Sequence, residues 1–362
     1  MATRRERGLA RLRSNGPAVG ELFTIVRELS FDDLRQEAQL PPRLLLVGAN
    51  RGALVLLRDA LGGSAASGYI DVADVASFDQ LPGYLDQYDG IVLVNVGPAE
   101  RKSPKIKQLL GDVETAGRVL TFQLPPGGGA DGAAPPSAYA VDDLRGRLVT
   151  RLGHRQLALG RYLPTFRKQV ATSLINQTAR ANAEFALLSN IPAVIPIIGN
   201  LMSAGADFLV LTKNQLMLIY KLAAAHGRDI EQPWRLYTKL LPVVGAGLIW
   251  RTAARELAAL IPFAAGTIPK VLIAYAGTAV TGQAASYYYE FGTRPTGAQV
   301  RHYYERAVEL AKALRPGDQV DRDAIEGKFT ERTTAESQQA PRATEQTPPP
   351  GAEPKQGAEA GR

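Results

Sequence analysis

The chain has 362 residues, 45% of them hydrophobic, enough for the cores of two ordinary domains, so disorder of the whole chain is excluded. Lys and Arg number 42 against 35 Asp and Glu, a formal net charge of +7 that favours anionic partners. There is no cysteine, which excludes disulfides, thiolate metal sites and cysteine nucleophiles.

Residues 1–40 open with Arg4, Arg5, Arg7, Arg11 and Arg13. The apolar stretch Leu22–Val26 that follows is too short for a secretory signal, so the sequence predicts a cytoplasmic start. Leu22, Phe23, Val26 and Leu29 share one helical face. Ser30 is placed to cap a helix over Phe31–Leu40, and Pro41-Pro42 ends it.

Residues 41–124 alternate in pattern. Leu44–Val47 is a short apolar run suited to a strand buried on both faces, Gly48–Gly52 a turn, and Ala53–Leu61 a helix. A second strand at Ile91–Val96, a helix at Ser103–Ala116 and a third strand at Arg118–Leu124 follow. The order predicts an α/β domain on a parallel sheet, with a GTPase-like or Rossmann-like layout. Residues 125–141, rich in Pro and Gly, read as a linker.

The glycine turn lacks the chemistry that holds phosphate. A phosphate loop, G-x-x-x-x-G-K-[ST], wraps the phosphates in backbone amides and adds a lysine and a Mg²⁺-binding hydroxyl. Counted from Gly48, those places are taken by Ala53, Leu54 and Val55. No Asn-Lys-x-Asp motif follows. Gly48–Gly52 does not form G-x-G-x-x-G either, although Asp71 lies near the distance of a ribose-binding acid. The turn reads as a strand-to-helix connection, and no cofactor is expected.

From 142 to 325 the pattern is helical. Breaks at Pro196–Gly199, Pro242–Gly245 and Pro262–Gly266 suggest hairpins. Phe185–Ala206 and Val271–Tyr289 carry no charge and, at 1.5 Å per residue, reach the roughly 30 Å of a bilayer core. Prolines and glycines in the first favour a re-entrant or interfacial hairpin over a straight span. Tyr287–Tyr289 fits an interfacial aromatic belt or an ordinary packing cluster. At the start of this half, Arg147, Arg151 and Arg155 recur at i, i+4, i+8, beside Leu144, Leu148 and Leu152. A basic amphipathic stripe of this kind suits an anionic membrane surface; the alternative is a solvated helix face. Nucleic acid is not expected, because no aromatics are interleaved with the arginines as stacking platforms.

The remaining titratable residues form no catalytic pattern. His154, His226 and His302 have no metal-ligand spacing, and His226, before Gly227, reads as a cation at a helix C-terminus. The pairs Asp32-Asp33 and Asp142-Asp143 read as helix caps. No catalytic residue or metal ligand is assigned. Residues 326–362, composed of Pro, Gln, Glu, Thr and Ala, are predicted to be a disordered tail.

The run from Arg180 to Leu188, through Ile195–Gly199, to Gly205–Lys221 resembles the YcjF-like family of unknown function, over roughly residues 165–310. Its most specific part is Gly205-Ala-Asp followed by Thr212-Lys-Asn-Gln. That family occurs in bacterial membrane-associated proteins and as a C-terminal module of Era-like GTPases. The resemblance implies a helical, membrane-linked module working with a GTPase-type partner at the cytoplasmic face of the bacterial inner membrane, with self-association open. It directs attention to Asp207, Asn214 and Gln215, polar positions inside an apolar helix. The expectation is a non-catalytic regulatory or scaffold protein with a degenerate GTPase-like domain. Its rivals are an unorthodox nucleotide hydrolase using Asp71, Asp89 or a partner's residues, and a soluble helical interaction module.

Overall fold

The computed structural model describes residues 31–74, 85–97, 111, 117–124, 135–188, 206–233, 236 and 267–313. The described residues 31–312 belong to one compact unit. Ser30 as a cap, the tail 326–362 and the expected helix at Ser103–Ala116, apart from the helical Gly111, lie outside the described residues.

Helix α1 spans Asp32–Gln39. Its N-cap position is Phe31, whose ring packs on Tyr220 with centroids 4.4 Å apart, so apolar packing anchors this end. Strand β1, Leu44–Gly48, is buried at every position. Helix α2, Arg51–Gly62, follows after two residues and is capped by Asn50, two positions earlier than the sequence pattern suggested. A short helix α3, Ala66–Tyr69, leads into β2, Ile70–Asp74. Sequence reasoning missed β2. Its two aspartates dilute the apolar signal, and as an edge strand it is only partly buried, which lets it tolerate them. Strands β3, Gly90–Val94, and β4, Val119–Phe122, complete a parallel sheet in the order β2-β1-β3-β4. The register pairs Leu44 with Ile70 on one side and with Gly90 on the other.

Side chains alternate across the sheet. Leu45, Val47, Ile91, Leu93 and Val119 join Leu85 and Tyr88 in one buried cluster. On the opposite face the backbone must approach its cover closely. A Cβ on Gly90 would lie 2.9 Å from Leu152 Cδ1, and one on Gly48 would lie 3.2 Å from Leu54 Cδ2 of α2, besides meeting the carbonyl oxygen of its strand neighbour Val94 at 2.7 Å.

Helix α4, Ala138–Arg151, begins with Ser137 Oγ accepting from Ala140 N at 3.2 Å, so it starts inside the stretch expected to be linker. It stops at Leu152, whose backbone leaves helical geometry (φ −102°, ψ 41°). Arg155 therefore falls in the 3-10 turn Gly153–Arg155 and does not continue the helical face of Arg147 and Arg151. Helix α5 is Gln156–Tyr162. Among the described residues three long helices follow: α6, Arg167–Leu188; α7, Ala206–Ala225; and α8, Thr267–Phe291, with α9 at Gly297–Ala313. No strand occurs among the described residues after 135, as expected.

Two contact layers fix the bundle's directions. A Cβ on Gly282 would meet Ile175 Cγ1 at 2.6 Å and Leu218 Cδ2 at 3.0 Å, while Asn182 touches both Asn214 and Thr278. Going from 175 to 182 on α6 thus means going from 218 back to 214 and from 282 back to 278. Helices α7 and α8 run parallel to each other and antiparallel to α6. The end of α6 and the starts of α7 and α8 share one end of the bundle.

Among the described residues no helix is long and apolar enough to cross a membrane. This corrects the expectation for Val271–Tyr289. The stretch lies within α8, but Gly277, Thr278, Thr281, Gln283 and Ser286 lower its hydropathy, and much of its surface is buried against protein. Residues 189–205 of the other candidate stretch lie outside the described residues.

Candidate functional site

In an open α/β sheet the ligand crevice lies outside the carboxyl ends of the strands, where the strand order reverses, here between β1 and β3. The glycine turn stands there. Only Ala49 and Asn50 separate β1 from α2, too few peptide groups to wrap a phosphate chain. Asn50 Oδ1 accepts from Ala53 N at 2.9 Å and the Asn50 carbonyl accepts from Leu54 N at 3.1 Å, so the first turn of α2 is closed by its own cap. Ala53 and Leu54, at the glycine and lysine places of a phosphate loop, are 8% and 1% exposed. Leu54 packs on Gly48 from within the core. Across the switch point Asn95 takes φ +54°, a conformation that asparagine tolerates. Its Oδ1 accepts from Leu124 N at 2.6 Å and its own N–H donates to the Phe122 carbonyl at 2.9 Å. Both asparagines thus serve the backbone, one ending a strand and the other starting a helix.

Asp71 and Asp89, the carboxylates of the hydrolase alternative, sit at the opposite, amino-terminal edge of the sheet. Five residues of strand, about 15 Å, separate the two edges. Asp71 Oδ2 accepts from Tyr88 Oη at 2.9 Å and from Arg43 Nη2 at 3.3 Å. Burial, followed by the Asp71 hydrogen bond and charge, pushes the Tyr88 hydroxyl above its ordinary pKa. Asp89 accepts from the Arg43 amide at 2.8 Å and from Arg155 Nε at 3.0 Å. The two acids organise strand starts and do not reach the crevice edge.

The arginine stripe is divided by the fold. Arg147 Nη2 donates to the Thr121 carbonyl of β4 at 2.7 Å, with Asp143 at 3.8 Å. Arg155, besides Asp89, donates to the carbonyls of Leu40 and Pro41, each at 3.0 Å. Arg151 is exposed. Arg145, which the spacing argument passed over, reaches further into the α/β half: it donates to the Leu61 carbonyl at 3.1 Å, to the Ala60 carbonyl and to Asp142 at 2.6 Å. Thr165 Oγ1 adds a bond to the Leu61 carbonyl at 2.5 Å. In return Glu37 of α1 accepts from Leu157 N at 3.1 Å, capping α5. The last carbonyls of α2 are therefore satisfied by side chains that follow residue 140. Their acceptors are backbone atoms, which leave no periodic signal in the sequence.

Of the three polar positions singled out in the bundle, Asn214 meets a partner set. Asn214 Nδ2 donates to Asn182 Oδ1 at 2.6 Å, Asn182 Nδ2 to Thr278 Oγ1 at 2.8 Å, and Thr278 Oγ1 to the Ala274 carbonyl at 2.8 Å. Asn182 and Thr278 are fully buried, so this chain of donors ties three helices through the core. Gln215 is half-buried on the same helix, and Asp207 lies in the first turn of α7.

At the other end of the bundle His226 is buried. Its Nδ1 donates to the Leu222 carbonyl at 2.8 Å, and Nε2 lies 3.5 Å from both Ser286 Oγ and Glu290 Oε2. Burial lowers its pKa despite the Leu222 and Glu290 contacts, so at neutral pH the ring is uncharged, in place of the C-terminal cation its position suggested. Tyr289 packs on this ring at 5.9 Å and Tyr287 on Phe291 at 4.6 Å. Among the described residues no group of three His, Asp or Glu could hold a metal ion. Comparison of the chain with family models, curated proteins and solved structures returned no match.

Proposed function

We propose that the chain is a non-catalytic scaffold or regulatory protein. In this reading its α/β half is a GTPase-like sheet without nucleotide chemistry, and its helical half holds it at a membrane. The observation that carries the first part is the closed two-residue turn after β1, with Leu54 buried where a phosphate loop needs a lysine. The uncharged sequence between Leu188 and Ala206, whose two feet stand at the same end of the bundle, supports the second, together with the resemblance to the YcjF-like family. On this reading the partner is a GTPase-type protein and the location the cytoplasmic face of a bacterial inner membrane. Of Arg147, Arg151 and Arg155, it is Arg151 that is exposed and left to meet anionic lipid.

Calorimetry on the full chain with GTP, GDP and ATP in Mg²⁺ tests the first part: no heat of binding is expected, and micromolar affinity would refute it. Carbonate washing of membranes from expressing cells tests the second. The chain should stay in the pellet. A monomeric protein that needs no detergent would favour instead a soluble interaction module, the reading that draws on the lack of a spanning helix among the described residues.

A further inference from the structure

His226 ends α7 where several charged groups converge. Glu290, Ser286 and Tyr289 face it from α8. Arg167 at the start of α6 and Arg228 in the following turn oppose a positive charge on the ring. Arg161 of α5 donates to the Arg228 carbonyl at 3.2 Å, and Arg228 donates to the Tyr289 carbonyl. Because Nδ1 carries the proton given to Leu222, the neutral ring presents a lone pair at Nε2. That lone pair faces a carboxylate, with the Ser286 hydroxyl as its available donor. The slot is therefore ambivalent. Both groups nearest Nε2 can accept a proton from it, while the depth of the site, with the His226 side chain 2% exposed, disfavours the charge.

The turn that His226 opens leads outward. Tyr220 Oη donates to the Ile230 carbonyl at 3.2 Å, and Glu231 accepts from Gln39 at 2.8 Å and lies 3.7 Å from Arg35, both on α1. Residues 226–231 thus link the base of the bundle to the helix that precedes β1.

We propose that His226 is a proton-responsive latch: uptake of one proton at Nε2 drives the ring from its slot toward Glu290 and loosens the 226–231 link between bundle and α1. The proton comes from solvent, and no bond other than N–H forms. Neutral pH keeps the ring seated and the link closed; mild acid opens it.

The test uses the full chain. Amide exchange, corrected for its intrinsic pH dependence, is followed at pH 7.5 and 5.5. Peptides covering 222–231 should lose protection several-fold more than peptides from α2 on acidification, and His226→Gln should remove the difference. Ring NMR should give His226 a midpoint below that of an unperturbed histidine. Glu290→Gln, at an exposed position, should move it down by about half a pH unit, the scale of a partly exposed ion pair. Uniform exchange across the chain, or a His226 midpoint that does not respond to Glu290→Gln, overturns the proposal. Should His226→Gln fail to fold, the wild-type chain decides: loss of protection at 222–231 should follow the His226 ring midpoint as pH falls and shift with it in Glu290→Gln, and a loss that does not follow the midpoint overturns the proposal.

Discussion

Arg155 Nε lies 3.0 Å from Asp89 Oδ1, and the same guanidinium reaches the carbonyls of Leu40 and Pro41, so one side chain holds the starts of β1 and β3 to the turn after α4. The pair is shielded, with Arg155 12% and Asp89 21% exposed.

Arg155→Ala should therefore cost about 2–4 kcal/mol in urea unfolding, because it strands a partly buried carboxylate and two carbonyls. Arg155→Lys should recover little of this, since one ammonium cannot reproduce the planar fork. Arg151→Ala, at an exposed site, should change stability by less than about 0.5 kcal/mol while weakening sedimentation with anionic vesicles. Equal stability losses at both positions would contradict this division of the stripe.

A chain truncated after residue 140 should not give a cooperatively folded α/β domain. The truncation removes Arg145 and Thr165 from the last carbonyls of α2 and Leu152 from its contact with Gly90. Far- and near-ultraviolet circular dichroism checks it: a native-like near-ultraviolet spectrum with a sharp thermal transition would refute the claim.

Leu54→Lys should not create nucleotide binding. Leu54 is 1% exposed and packs on Gly48, so an ammonium there is buried without a partner and should destabilise the fold by several kcal/mol. Denaturation midpoints with and without GTP should fall equally. A midpoint restored by nucleotide would reopen the enzyme reading.

Glu37 supplies a pH dependence of known sign. Burial, acting against the Leu157 hydrogen bond and the charges of Lys221 and Arg155, raises its pKa. The unfolded chain then releases this proton at lower pH than the folded one. The group's contribution to stability is complete below the unfolded value near 4.5 and declines as pH rises through the raised folded value. Glu37→Gln retains an acceptor for Leu157 and should flatten this stretch of the stability–pH curve in urea titrations. An unchanged curve would assign the dependence to another group.

How far the sequence carries can be read residue by residue. Leu44–Val47 announced β1 because a strand covered on both faces needs an unbroken apolar run. Ala53 and Leu54, apolar at the glycine and lysine places of a phosphate loop, read as core residues in the sequence, and both are buried. β2 was illegible, its aspartates being acceptable only at a sheet edge. Arg147 and Arg155 have the spacing of a surface stripe, yet what consumes them is carbonyl oxygens of β4 and of the residues before β1, and no sequence periodicity encodes a backbone acceptor. Asn182 and Thr278 lie in different helices, and nothing local to either residue foretells the other.

That separation bears on how the chain reaches its fold. Asn182 and Thr278 are 96 residues apart, whereas Asn182 and Asn214 are 32 apart. Loop-closure entropy favours the nearer pairing, so α6 and α7 should associate first and α8 dock late. During synthesis at roughly 5–20 residues per second, α6 would wait about 5–20 s with the face that carries Ile175 and Asn182 not yet covered by α8. Ribosome-bound chains stalled before residue 267 should accordingly recruit chaperones more strongly than chains stalled far enough past 291 for α8 to clear the exit tunnel. Equal recruitment would mean that the face is covered before α8 arrives.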